Sequence, residues 1–213
     1  SEESPLSKFF KEFCDTFAIT YPIYRLTGQP EIPEEIRKLT SAPKSVGDCY
    51  LRAIHFTKFL KQYAGLRNSS RVLDIGCGWG PIALTMALKA PHARVYAVDV
   101  NERCLALTNE NAALLGLENV MASLPGEVDP ELRFDTIWSN PPIRIGKDEL
   151  HALLLLWLPR LAPGGSAWLV VQKNLGSDSL QRWLAAELDS SFTVTRESTS
   201  KSFRILHVRK ASH

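Results

Sequence analysis

Two regimes of hydrophobic patterning divide the chain. Through residues 1–68 the apolar positions recur at helical spacing or are interrupted by prolines. Leu6, Phe9, Phe10, Phe13 and Phe17 share one stripe and predict an amphipathic helix over 5–18. Pro22, Gly28, Pro30, Pro33 and Pro43 predict a loop with at most a short helix at 34–39. Val46, Cys49, Tyr50, Ala53, Phe56, Leu60 and Tyr63 form a second helical stripe, stopped at Gly65. From Ser70 onward short apolar runs alternate with helical stretches. Strands are predicted at 71–75, 94–98, 120–122, 134–138, 167–171, 192–195 and 204–209, and helices at 82–89, 102–115, 148–161 and 180–188. This alternation predicts an α/β fold: a doubly wound, mostly parallel seven-stranded sheet with helices on both faces. The expected division is a helical N-terminal extension over 1–68 and the α/β domain over 69–213. The last two strands are too close for a helical crossover, so they pair as a hairpin and one runs antiparallel to the rest. The string Leu161-Ala162-Pro163-Gly164-Gly165 reads as a tight helix-to-strand turn.

Composition narrows the class. The chain has 213 residues, 45% hydrophobic and 23% charged, enough for one sizeable core of ordinary soluble character. A net charge of +2 tolerates a nucleic-acid partner without arguing for one. Cys14, Cys49, Cys77 and Cys104 form no C-x-x-C pair and no cluster with histidine, so no metal is expected; they read as free thiols of a reducing cytoplasm. No apolar run is long enough to span a bilayer, and the initial Ser-Glu-Glu-Ser is not a targeting segment, so the expectation is a cytoplasmic protein with no membrane partner. The N-terminal phenylalanines read as a packing stripe rather than a base-stacking platform.

The first candidate site joins the first strand to the first helix: Val72-Leu73-Asp74-Ile75-Gly76-Cys77-Gly78-Trp79-Gly80-Pro81. Glycines at alternate positions allow a tight turn and a close approach of backbone to a ligand. Pro81 suits the first turn of a helix. A dinucleotide fingerprint needs G-x-G-x-x-G with pyrophosphate at the helix N-terminus. Here the third glycine comes one residue early, and Asp74 would repel a pyrophosphate but suit a cation. S-adenosylmethionine carries an ammonium and a sulfonium. Asp99 ends the second strand roughly 20 residues on, where a carboxylate accepts from ribose hydroxyls. The expected cofactor set is Asp74, Gly76, Cys77, Gly78 and Gly80 from the loop, Asp99 and Val100 from the second strand's end, and Asn140.

The second candidate site follows the fourth strand: Asn140-Pro141-Pro142-Ile143. Two prolines fix the backbone and remove two donors, leaving carbonyls free to accept. The side-chain carbonyl of Asn140 and the backbone carbonyl of Pro141 can together grip one planar NH2 group. A delocalised amine has to be oriented and its developing charge stabilised for methylation, so geometry and electrostatics carry the catalysis. No strong base is needed before attack, because the proton leaves after transfer. Arg144, Lys147 and Lys173 are expected on the same rim. They read equally well as contacts to substrate phosphates or as solvated charge. Lys201, Arg204, Arg209 and Lys210 read as solvated or salt-bridged. The five histidines show no pairing that suggests catalysis.

These segments resemble the class I S-adenosylmethionine-dependent methyltransferases. The closer resemblance is to the small-domain (RsmC-like) ribosomal RNA guanine-N2 methyltransferases. It covers about residues 70–210 and rests on 73–81, 97–102, 161–165, 170–184 and above all Asn-Pro-Pro-Ile-Arg-Ile-Gly-Lys at 140–147. The resemblance implies that Asp74, Gly76 and Gly78 hold the methionine part of the cofactor and Asp99 its ribose. It also implies that Asn140 and Pro141 hold the target amine, and that Ile143 forms an apolar wall beside the base. Members that methylate adenine or glutamine usually have an aromatic residue at that wall. The implied partner is RNA, in the form of ribosomal RNA or a ribosomal subunit. Two departures stand out. Residues 44–68 read as a helix where the family has an extended segment with a Gly-Thr turn. The third strand ends in Ala122-Ser123-Leu124-Pro125, so the usual carboxylate for the adenine amine is missing, or replaced by Ser123 or a backbone carbonyl. Three other readings stay open: a methyltransferase for protein glutamine or a small amine, a nicotinamide-dependent oxidoreductase, and a non-catalytic RNA-binding module.

Overall fold

The computed structural model describes residues 67, 69–140, 146–172, 176–199 and 203–213. The helices expected within 5–18, 34–39 and 46–63 lie outside the described residues. The elements are β1 (Arg71–Ile75), α1 (Pro81–Lys89), β2 (Arg94–Val98), α2 (Glu102–Leu114), β3 (Val120–Ser123), β4 (Phe134–Ser139), α3 (Lys147–Trp157), β5 (Leu161–Gln172), α4 (Ser177–Glu187), β6 (Phe192–Thr199) and β7 (Phe203–Lys210). They build a seven-stranded sheet in the order β3-β2-β1-β4-β5-β7-β6. The first five strands run parallel. β7 pairs antiparallel with both β5 and β6, as the short last connection requires.

Strand alternation sends side chains to two cores. Val72, Val95, Ala97, Trp138, Trp168, Val170 and Ile205 pack with α1 and α2 on one face. Leu73, Ile75, Ile137, Leu169 and Leu206 pack with α3 and α4 on the other. Residues 82–87 of α1 are all buried, which explains a helix that is apolar nearly all round. α2 is half-buried and presents only Leu105, Thr108 and Ala112 inward. Its start is capped by Asn101, whose side chain accepts from the Arg103 N–H at 3.0 Å. The Asn119 amide donates to the carbonyls of Ala87, Ala90 and Ala93 at 3.3, 3.2 and 3.0 Å, tying the end of α1 to the β2–β3 side.

Two boundaries differ from the pattern-based expectation. The helix expected over 148–161 ends at Trp157 and tightens into a 3₁₀ turn, Leu158–Arg160. Pro159 has no N–H to continue the helical ladder, and Leu161 already belongs to the sheet. The expected turn at 161–165 is a wide bulge within β5. Leu161 pairs with Phe134, and pairing resumes with Ser166 opposite Thr136. The Gly164 N–H is satisfied by the carbonyl of Ala211 at 3.0 Å rather than within a local turn.

After β3 the chain crosses over β2 and β1 to enter β4. The strand order therefore reverses between β1 and β4. Open α/β sheets form their ligand crevice outside the carboxyl ends of the strands at such a reversal.

Candidate active site

The loop that leaves β1 at this reversal is held by its neighbours. The Gly76 and Cys77 N–H groups both donate to the Val98 carbonyl, at 2.8 and 3.1 Å. The Gly78 N–H donates to Asp99 Oδ2 at 2.9 Å, and Asp99 Oδ1 accepts from the Asn101 N–H at 2.9 Å. Asp99 is thus half-buried and pins the middle of the loop to the end of β2. From α2, Thr108 Oγ1 donates to the Gly78 carbonyl at 3.0 Å and the Asn111 amide to the Trp79 carbonyl at 3.1 Å. Neither Thr108 nor Asn111 is legible as a loop partner in the sequence. They stand three apart on one helix face, a spacing that carries no signal until α2 is known to lie over the loop.

Gly76, Gly78 and Gly80 all have positive φ, at 73°, 56° and 91°. Two of these glycines do different work. A Cβ on Gly80 would sit 2.8 Å from Thr108 Cγ2 and 3.2 Å from Leu84 Cδ1, so this position is required by close helix packing. A Cβ on Gly78 would meet nothing within 4 Å, so the loop faces open space there.

Asp74 faces the α1 side of β1 and is 1% exposed. Its Oδ2 accepts from the Ala83 N–H in the first turn of α1 at 3.1 Å. Burial pushes its carboxyl up to about 7; the Ala83 hydrogen bond opposes this and the Asp99 charge adds to it. A buried carboxyl with so little compensation is favourably ionised only beside a cation. Cys77 is buried beside Thr108 Oγ1, and burial pushes its thiol up, with the Asp74 and Asp99 charges adding, so it is neutral filler rather than a nucleophile. Val100 lies beside Asp99 with 80% of its surface exposed, an apolar face at the rim. The groups therefore suit a ligand with a cationic end, a diol and an apolar ring.

Four residues beyond the last residue of β3 stands a carboxylate, Glu127, which caps the turn that follows the strand. Glu127 Oε2 accepts from the Leu124 N–H at 2.8 Å in the 3₁₀ turn Pro125–Glu127.

On the other side of the reversal, Ser139 ends β4 opposite Ile75, and its buried hydroxyl donates to the Ile75 carbonyl at 3.1 Å. Gly76 and Asn140 are the next residues on these paired strands, so they leave the sheet about one strand spacing apart, roughly 5 Å. Asn140 is exposed. Pro141, Pro142, Ile143, Arg144 and Lys173 lie outside the described residues. Lys147 is exposed as the first residue of α3. Asp148 and Glu149 share that first turn with it.

The remaining charged groups are mostly structural. Lys210 donates to the Pro159 and Leu161 carbonyls at 3.3 and 3.0 Å. Arg209 is exposed, Arg204 is buried and ion-paired with Asp178, and Lys201 lies outside the described residues. His207 does bridge Glu197 and Ser166, at 3.3 and 3.0 Å, but it sits opposite Trp168 within the sheet rather than at the strand ends. Among the described residues no group of three or more His, Cys, Asp or Glu could hold a metal ion, and no helix is long and apolar enough to cross a membrane.

The family model of the methyltransferase small domain matches residues 56–207. The chain belongs to the methyltransferase small-domain family. It is a methyltransferase whose cofactor is S-adenosylmethionine, and the nicotinamide reading is set aside. Among curated relatives of this small-domain chain is YbxB of Bacillus subtilis, 36% identical over 142 residues, covering 65% of this chain and 69% of that protein. A release factor glutamine methyltransferase of Moorella thermoacetica is 32% identical over 139 residues, covering 62% of this chain but 47% of that one. Among solved structures, TrmN from Thermus thermophilus superposes with a TM-score of 0.59 at 25% identity, over 80% of this chain and 55% of that one. The 16S rRNA N2 methyltransferase RsmC of Thermus thermophilus, solved with AdoMet and guanosine, shares the fold with a TM-score of 0.60 at 23% identity, over 75% of this chain and 42% of that one. The methyltransferase chain thus spans about half the length of several of its relatives.

Proposed function

We propose that this methyltransferase acts on the exocyclic amine of guanine in RNA, with ribosomal RNA as the substrate. The observation that carries the reading is the exposed Asn140 leaving the sheet beside Gly76, one strand from the buried Asp74. S-adenosylmethionine supplies an electrophilic methyl group on its sulfonium. Asp74 binds the cationic amino-acid end and Asp99 accepts from the ribose hydroxyls. Val100 lies against the adenine, and Gly76, Cys77, Gly78 and Gly80 shape the loop around the methionine part.

Asn140 and the Pro141 carbonyl accept the two N–H groups of the target amine. This turns its lone pair toward the methyl group and stabilises the charge that develops on nitrogen. Pro142 keeps the backbone rigid and Ile143 walls the base. Because the nitrogen loses its proton after transfer, no histidine or lysine base is needed. Arg144, Lys147 and Lys173 contact substrate phosphates.

A second reading is a glutamine side-chain amide, favoured by the 32% identity to a release factor glutamine methyltransferase. Ile143, in place of an aromatic residue, favours guanine. Methyl-labelled cofactor distinguishes the two when it is offered with ribosomal subunits and with a release factor. Label recovered as N2-methylguanosine supports the proposal; label in the protein fraction refutes it. Asn140→Ala should lower turnover by at least about 100-fold, the loss of one positioned transition-state contact. Full activity in Asn140→Ala would remove the site assignment.

A further inference from the structure

A second polar cluster lies on the same edge of the sheet, where β5 gives way to α4. Ser177, the first residue of α4, is 1% exposed, and Arg204 in β7 is 8% exposed. Each carries a donor that finds no hydrogen-bond partner among the described residues: Ser177 Oγ and Arg204 Nε. Arg204 Nη1 is ion-paired with Asp178 Oδ1, so the buried guanidinium faces the first turn of α4. Arg196 of β6 reaches the same carboxylate and also Gln181 Oε1 at 3.2 Å. Two guanidiniums and one carboxylate leave an excess positive charge at the N-terminus of an 11-residue helix. Buried donors without acceptors are costly, and an oxyanion at this point would supply the acceptors.

The cluster's place suits the substrate. Arg204 pairs with Val171, and Leu169 pairs with Ser139, so the cluster stands two strands from β4, about 10 Å from the Asn140 edge. We propose that Ser177, Arg204 and the first-turn N–H groups of α4 hold a backbone phosphate of the RNA beside the nucleotide that enters at Asn140. In the free protein Asp178 takes the place of that phosphate and is displaced by it. The inference rests on the RNA reading above.

Two conservative variants test it in the full chain, with inorganic phosphate and a short single-stranded RNA as separate probes. Asp178→Asn removes the resident carboxylate and should tighten both probes severalfold, with the RNA salt dependence steepening by about 0.7 in log–log slope, one further phosphate contact. Ser177→Ala should weaken both severalfold, and S-adenosylmethionine affinity should stay unchanged in each variant. Affinities for both probes that ignore both substitutions would overturn the site. Phosphate binding that follows the substitutions, in a protein that binds no RNA, would overturn the RNA assignment and the substrate reading with it.

Discussion

Asp74 holds a charge that the fold by itself does not want. Its ordinary carboxyl value is 3.8, and burial lifts it to about 7. Between those values the folded chain binds more protons than the unfolded chain, so stability falls as pH rises from about 4 to 7 and levels off above. At about 1.36 kcal/mol for each pH unit between the two values, the cost comes to about 4 kcal/mol at pH 8 and about 1.6 kcal/mol at pH 5. Asp74→Asn keeps an acceptor for the Ala83 N–H and removes the charge. The variant should therefore be more stable than the wild type, by a margin that widens by about 2.5 kcal/mol from pH 5 to 8, most of it below pH 7. At pH 8 its melting temperature should rise by roughly 10 °C. Cofactor affinity should move the other way. Losing a charge-assisted contact to the ammonium weakens binding by about 10–100-fold, and wild-type affinity should itself rise with pH through about 7. Paired thermal melts and calorimetric titrations across pH 5–8 measure both trends. A less stable Asp74→Asn at pH 8, or a stability difference indifferent to pH, would refute the idea that Asp74 is buried for its ligand.

Further outcomes follow from the loop and the sheet. Gly80→Ala, at φ 91° and 2.8 Å from Thr108, should lower stability by about 2 kcal/mol in denaturant melts. Gly78→Ala, which meets nothing within 4 Å, should cost about 1 kcal/mol of stability yet weaken cofactor binding more than Gly80→Ala does. Equal binding by the two variants would contradict a ligand on the Gly78 side. His207 is half-buried on Trp168, at 4.1 Å between ring centroids, and burial holds its imidazole below the usual value of 6.5 against the opposing pull of Glu197. Its neutral form is the stabilising one, so its contribution is complete above pH 6.5 and is lost as pH falls below that. His207→Gln should remove this loss, read as a shrinking gap to the wild type in melts from pH 7 to 5.

The sequence alone determined the order of the strands and helices, because a period of two or of 3.6 in apolar residues is imposed locally by which face is buried. It also exposed the two loops that carry the candidate site. Alternate glycines, an acidic residue before them and Asn-Pro-Pro after a strand are each local requirements of backbone or chemistry. Tertiary structure decided what those residues meet. That Thr108 and Asn111 brace the glycine loop, and that Ser139 clasps β4 to β1, depends on strands far apart in the chain becoming neighbours. The same holds for the bulge at 161–165, whose glycine N–H finds its acceptor in Ala211. Arg204 makes the point most sharply. Its sequence neighbourhood reads as surface charge, yet the reversed β7 carries it beneath α4. Burial of a charge is a property of packing, which no local pattern encodes.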